Sequence, residues 1–142
     1  MIETSDTVVH FLACAAFGQR GYEATSIDDL LTEAGVSPSN FYYHFKSKEE
    51  LFLEALSTAR KIWRERNLEG IDPSQRPLLQ IKKMLENYRD RYLPYSESLP
   101  GGCVFVSLSI ELNHQEPALA AEVNEGFDRL KRIISRLLEA EQ

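Results

Sequence analysis

The sequence predicts an all-α protein: an N-terminal head of three short helices with a helix-turn-helix at its centre, followed by a longer helical body. Three observations carry this. Serine-led helix starts recur at short intervals, at Ser26, Ser37 and Ser47. Apolar residues repeat at spacings of three and four through most of the chain. Only one segment alternates with the period of a strand, and nothing alternates elsewhere to pair with it.

The elements follow in order. Residues 4–19 read as a first helix, with Val9, Leu12, Ala13, Ala16 and Phe17 forming one apolar stripe. Gly18 weakens its last turn and Gly21 ends it. Thr25 and Ser26 precede Ile27, Leu30, Leu31 and Ala34, with Asp28 and Asp29 in the first turn where negative charge suits the helix dipole. Gly35 closes this second helix as a left-handed cap. Ser37 caps a third helix over residues 38–45, with Pro38 at its first position, where a missing N–H costs nothing. Val36 and Phe41 are placed to form a hydrophobic staple that fixes the entry angle. Ser47 with Glu50 is a capping box that starts a long helix, carried by Leu51, Phe52, Ala55, Leu56, Ala59, Ile62 and Trp63 to about residue 68.

The third helix is the candidate site. Phe41 and Phe45 turn inward as an i, i+4 pair, leaving Ser39, Asn40, Tyr42, Tyr43 and His44 on the outside. A face of hydroxyls, an amide, phenols and an imidazole is unusual for plain solvent exposure. It suits a DNA major groove, where donors and acceptors read base edges. Adjacent helical positions point about 100° apart, so Tyr42 and Tyr43 cannot both pack against one partner. Of Thr25 and Ser26, capping occupies one hydroxyl and leaves the other for a phosphate. Lys46 and Lys48 flank the rod; a cation at Lys48 opposes the helix dipole unless a phosphate lands there, and a solvated lysine is the equal alternative.

Phe17, Arg20-Gly21-Tyr22, Ala24-Thr25-Ser26-Ile27, Ala34-Gly35-Val36-Ser37, Phe41-Tyr42, His44-Phe45 and Ser47-Lys48-Glu49-Glu50-Leu51 together resemble the TetR family of bacterial transcriptional regulators. The resemblance is dense over the first third of the chain and loose beyond residue 60. It implies a DNA-binding domain at 1–46 and a helical ligand-binding and dimerisation domain at 47–142. It favours a phosphate contact for Lys48, and an operator surface of Thr25, Ser26, Ser37, Ser39, Asn40, Tyr42, Tyr43, His44, Lys46 and Lys48. Members usually carry further helices after the point where this sequence stops, which makes it a naturally short or incompletely represented member.

In the body, residues 70–76 read as a hinge-like loop. Leu78, Ile81, Leu85, Tyr88 and Tyr92 predict one apolar face of a helix over 77–93, and Pro94–Gly102 a loop. Residues 104–112 alternate, but a strand without a partner leaves its backbone unsatisfied, so a buried helix is the better reading, in agreement with the resemblance. Pro117 opens a last helix with Val123, Phe127, Leu130, Ile134 and Leu137 on a heptad-like seam, widened by Ile133 and Leu138. That seam is expected at a homodimer interface. Trp63, Met84, Tyr88, Tyr92, Cys103, Phe105, Ser109 and Phe127 are candidates to line an effector pocket, each with ordinary core packing as the more common alternative.

Composition bounds the rest. A chain of 142 residues with 43 % hydrophobic and 27 % charged residues is an ordinary soluble globular length and mix, and no apolar run suits a membrane span. The expected location is the cytoplasm. Cys14 and Cys103 give neither a disulfide framework nor metal spacing, and His10, His44 and His114 share no ligand spacing. No catalytic residue, metal or cofactor is expected. The net charge of −6, with ten acids against seven bases over residues 1–68, implies few ion pairs with DNA and a shallow salt dependence. The expected function is a ligand-responsive transcriptional regulator, a repressor, that binds palindromic operator DNA and is released by an unknown small molecule. A truncated member serving as a protein-interaction module without independent DNA binding is the alternative.

Overall fold

A computed structural model describes residues 5–94 and 103–142, and all its regular structure is helical. The head comprises α1 (Ser5–Arg20), α2 (Ile27–Ala34) and α3 (Pro38–His44). The body comprises α4 (Lys48–Asn67), α5 (Pro77–Asn87) with a π-turn over Tyr88–Tyr92, α6 (Val104–Gln115) and α7 (Pro117–Glu141). The expected loop at Pro94–Gly102 lies, from residue 95 on, outside the described residues.

Side-chain caps start α2 and α3 of the head and α4, the first helix of the body. Ser26 Oγ accepts from the Asp29 N–H at 3.0 Å, Ser37 Oγ from Asn40 at 3.3 Å, and Ser47 Oγ from Glu50 at 3.1 Å. The Glu50 carboxylate reaches back to the Lys46 N–H at 2.6 Å, one residue before the cap rather than to the cap itself. Gly35 closes α2 at φ 65° and ψ 30°, the left-handed conformation a Schellman-type end requires. Helix α3 ends at His44, and Phe45 is its extended C-cap.

One apolar core runs through head and body. Phe17, Tyr22 and Phe52 meet in edge and stacked contacts at 5.1 to 5.7 Å between ring centres. Around them pack Ala13 and Ala16 of α1, Leu30 of α2, Phe41 of α3, and Leu51 and Leu56 of α4. The same cluster continues into Leu108 and Leu112 of α6 and into Leu119 and Val123 of α7.

The expected face of α5 and the turn after it holds at Tyr92, which is buried, and in part at Ile81 and Tyr88, which are half-buried, but fails at Leu78 and Leu85. Leu78 and Leu85 are exposed, and the buried positions are Met84, Asn87 and Tyr92. The cause is Asn87, a polar residue on the inner face. Its Nδ2 donates to the carbonyls of Asn67 at 2.9 Å and Glu69 at 2.8 Å, satisfying groups freed at the end of α4. Hydrophobicity alone turns such a residue outward. The alternating segment is helical, as the lone-strand argument requires: Val104, Phe105, Leu108 and Leu112 are buried while Val106 and Ile110 face out. Helix α7 is buried at Leu119, Ala120 and Val123 and grows more exposed along its length, through Phe127 and Ile133 to Leu138.

Candidate nucleic-acid interface and sensor cavity

The short rod α3 is held from beneath by Phe41 and Phe45, both buried, with ring centres 5.2 Å apart. Tyr42 and Tyr43 stand out from it at 57 % and 84 % exposure. Exposure of two phenols on one seven-residue helix wastes apolar area unless a partner covers it. Ser37, Ser39 and His44 are also exposed, and Asn40 is half-buried. The Tyr43 ring meets the His44 imidazole edge-on at 4.9 Å, and Ser37 and Ser39 share a hydroxyl contact at 3.3 Å. Ser26 and Lys46 are exposed nearby in sequence, at the starts of α2 and α4.

Thr25 corrects the expectation that it faces DNA. Its side chain is fully buried, and its hydroxyl donates to Gly21 O at 2.7 Å and lies 3.3 Å from Ala16 O. It closes the turn between α1 and α2, so the spare hydroxyl imagined there is absorbed internally. Lys48 places its ammonium 4.3 Å from the centre of the Tyr22 ring, a cation–π contact that fixes the lysine at the start of α4.

A residue with no sequence signal joins head to body. The Glu111 carboxylate on α6 accepts from the backbone N–H of Tyr22 at 2.9 Å and of Glu23 at 3.0 Å. Gly21, at φ 86°, makes room for it, since a Cβ there would lie 2.5 Å from Glu111 Oε2. Two charge-assisted bonds across 88 and 89 residues of sequence tie the α1–α2 turn to the far end of α6.

The near end of α6 lines a cavity of about 220 Å³. Its walls are Arg60, Trp63, Arg64 and Leu68 from α4 and the loop after it, Tyr88 from the π-turn, and Cys103, Phe105 and Val106 from the start of α6. Gly126, Phe127, Arg129, Leu130 and Ile133 of α7 complete it. Of the expected lining residues, Trp63, Tyr88, Cys103, Phe105 and Phe127 are brought together. Met84, Tyr92 and Ser109 are not among the walls. Met84 and Tyr92 are buried in packing, and the Ser109 hydroxyl bonds Asn124 Oδ1 at 2.8 Å. Tyr92 stacks on Tyr88 at 5.3 Å between ring centres. Burial and the neighbouring Cys103 thiol push the Tyr88 hydroxyl up to about 12, so it stays a neutral donor. Burial pushes the Cys14 thiol up to about 11, against any role as a reactive thiolate. Arg60, Arg64 and Arg129 were missed at the sequence level, although Arg60 and Arg64 bracket Trp63 at helical spacing. Among the described residues no group of three His, Cys, Asp or Glu could hold a metal ion, and no helix is long and apolar enough to cross a membrane.

A capped, outward-facing rod on a three-helix head, continuous with an all-helical body, defines a helix-turn-helix protein. Comparison with known proteins makes the class specific. Residues 12–55 match the family described as "Bacterial regulatory proteins, tetR family", and residues 77–142 match "Tetracyclin repressor-like, C-terminal domain". An uncharacterized HTH-type transcriptional regulator of Lactococcus lactis is 32 % identical over 124 residues, covering 86 % of this chain and 62 % of that protein. The HTH-type transcriptional repressor NemR of Escherichia coli is 28 % identical over 145 residues, covering 94 % of this chain and 68 % of the repressor. A crystal structure of a TetR transcriptional regulator from Chloroflexus aurantiacus superposes with a TM-score of 0.83 at 29 % identity, over 95 % of this chain and 67 % of that one. The chain belongs to the TetR family. It spans about three fifths of the length of the Lactococcus relative.

Proposed function

We propose that this chain acts as a ligand-responsive transcriptional repressor, working as a homodimer on palindromic operator DNA. Residues 1–46 are the operator-binding domain and residues 47–142 the ligand-binding and dimerisation domain. The observation that carries the reading is the exposure of Tyr42 and Tyr43 on a serine-capped rod whose other face is locked into the core. Ser37, Ser39, Asn40 and His44 share that surface, and Ser26, Lys46 and Lys48 are assigned to phosphates. Thr25 is left out of the set because it is buried.

Two-fold operators demand two heads at a spacing of about one DNA turn. The apolar residues left exposed along α6 and α7, among them Val106, Ile110 and Leu138, supply the surface for pairing. A small molecule in the cavity acts on the heads by two routes. Helix α4 has Ser47 capping the head side and Trp63 in the cavity wall; α6 has Phe105 in the wall and Glu111 on the α1–α2 turn. The signal is the ligand's differential affinity for two head spacings.

An electrophoretic shift with DNA from upstream of the chain's own coding region tests the reading. A saturable shift, weakened by salt and abolished by Tyr42→Ala, is expected. An unshifted duplex at micromolar protein, or a shift indifferent to Tyr42→Ala, would count against it.

A further inference from the structure

The cavity has a chemistry as well as a location. Its walls are largely apolar and aromatic, with Trp63, Phe105 and Phe127 on three different helices. Three guanidiniums, of Arg60, Arg64 and Arg129, also border it, and among the described residues no carboxylate does. Two of the three are already held by α7. Arg60 donates to the Glu122 carbonyl and lies 4.0 Å from its carboxylate, and Arg129 bonds Glu125 at 2.5 and 3.0 Å. Arg64 has no ion pair or side-chain hydrogen bond among the described residues. The cavity rim therefore carries one uncompensated positive charge beside an aromatic interior.

We infer that the effector is a small aromatic or branched apolar monoanion, its ring between Trp63, Phe105 and Phe127 and its carboxylate or equivalent oxyanion on Arg64. This rests on the reading of the cavity as the effector site. Size limits the body: a cavity of roughly 150 Å³ accepts benzene, so about 220 Å³ holds one ring with short substituents. The charge limits the head group. A cation entering here would add like charge to three guanidiniums, while a planar oxyanion matches the fork of an unpaired one. A neutral amide of the same shape keeps the apolar contacts and loses the charge-assisted ones.

The chain contains one tryptophan, and it lines the cavity, so its emission reports occupancy. Trp63 fluorescence is titrated with 4-ethylbenzoate, 4-ethylbenzamide and 4-ethylbenzylammonium, and calorimetry repeats each titration. The carboxylate is expected to saturate at about tenfold or more lower concentration than the amide, with the ammonium weakest. Arg64→Gln is expected to erase the preference for carboxylate over amide, chiefly by weakening carboxylate binding about tenfold or more. Equal or tighter binding of the amide or the ammonium overturns the inference, as does a chain that binds none of the three at millimolar concentration. A preference that survives Arg64→Gln overturns the assignment to Arg64. Operator release is scored separately: carboxylate binding without any change in DNA affinity supports the inference and overturns the sensor reading instead.

Discussion

Helices α2 and α3 of the head start on a serine whose hydroxyl accepts a backbone N–H, whereas α5, α6 and α7 of the body start with no side-chain cap. The head's geometry is thus written into neighbouring residues. The body's helices, beyond the serine-led α4, are placed by packing, by ion pairs such as Arg76 with Glu141, and by the Asn87 clasp on the end of α4. A region set by packing changes when its packing changes. That difference supports the proposed division, with DNA reading in the head and ligand response in the body.

The largest test of the contrast removes what the two regions share. Phe52→Ala takes the central ring from the Phe17–Tyr22–Phe52 cluster and should cost about 3–5 kcal/mol in denaturant unfolding. A single transition, by both Trp63 emission and far-ultraviolet circular dichroism, is expected, because one core serves both regions. Two separated transitions would break the account of a continuous core. Next comes the strut. Glu111→Ala removes the acceptor for two backbone donors and should cost about 2 kcal/mol. It should also blunt any effector-dependent change in DNA affinity while leaving effector binding intact, as titration followed by operator binding would show.

Alkaline pH offers a smaller lever, on groups buried in both regions. Burial raises Cys14 to about 11, Tyr88 to about 12, and Tyr92 further still. Each group keeps its proton in the folded chain at a pH where the unfolded chain has lost it. Stability is therefore full below pH 9.0, the ordinary thiol value, and falls above it, by at most about 1.4 kcal/mol per pH unit for the Cys14 thiol in its window, with the two tyrosines acting in the same direction above pH 10.0. Denaturant midpoints measured from pH 8 to 11 check the sign, and a midpoint that rises with pH would be wrong. The caps give the finest comparison. Ser37→Ala should cost about 1 kcal/mol, and Glu116→Ala at the uncapped start of α7 should stay within about 0.5 kcal/mol.

The same asymmetry explains what could be read without coordinates. Ser26, Ser37, Ser47, Pro38 and Gly35 are local signals, and each marks a helix end where it was expected. The resemblance to TetR regulators drew on all of these but Pro38. Thr25 was misplaced because its hydroxyl is taken by carbonyls across the turn, at Ala16 and Gly21, and a sequence pattern does not say which of two adjacent hydroxyls turns inward. The outward Leu78 and Leu85 and the inward Asn87 reverse the usual hydrophobic logic, since the buried amide completes another helix's end. Glu111 lies 88 residues from Glu23, so only the tertiary fold reveals what it holds. The cavity was half legible: aromatic residues suggested it, while the arginines that give it a charge looked like any solvated helix face.

Tyr43 tests the central claim most directly. It is 84 % exposed, and the only ring contact its side chain makes among the described residues is with His44. Tyr43→Ala should leave thermal unfolding unchanged within about 0.5 kcal/mol. Affinity for an operator duplex, measured by fluorescence anisotropy at fixed salt, should fall about tenfold or more. Wild-type affinity in a fully folded Tyr43→Ala chain would contradict the assignment of α3 as the surface that reads DNA.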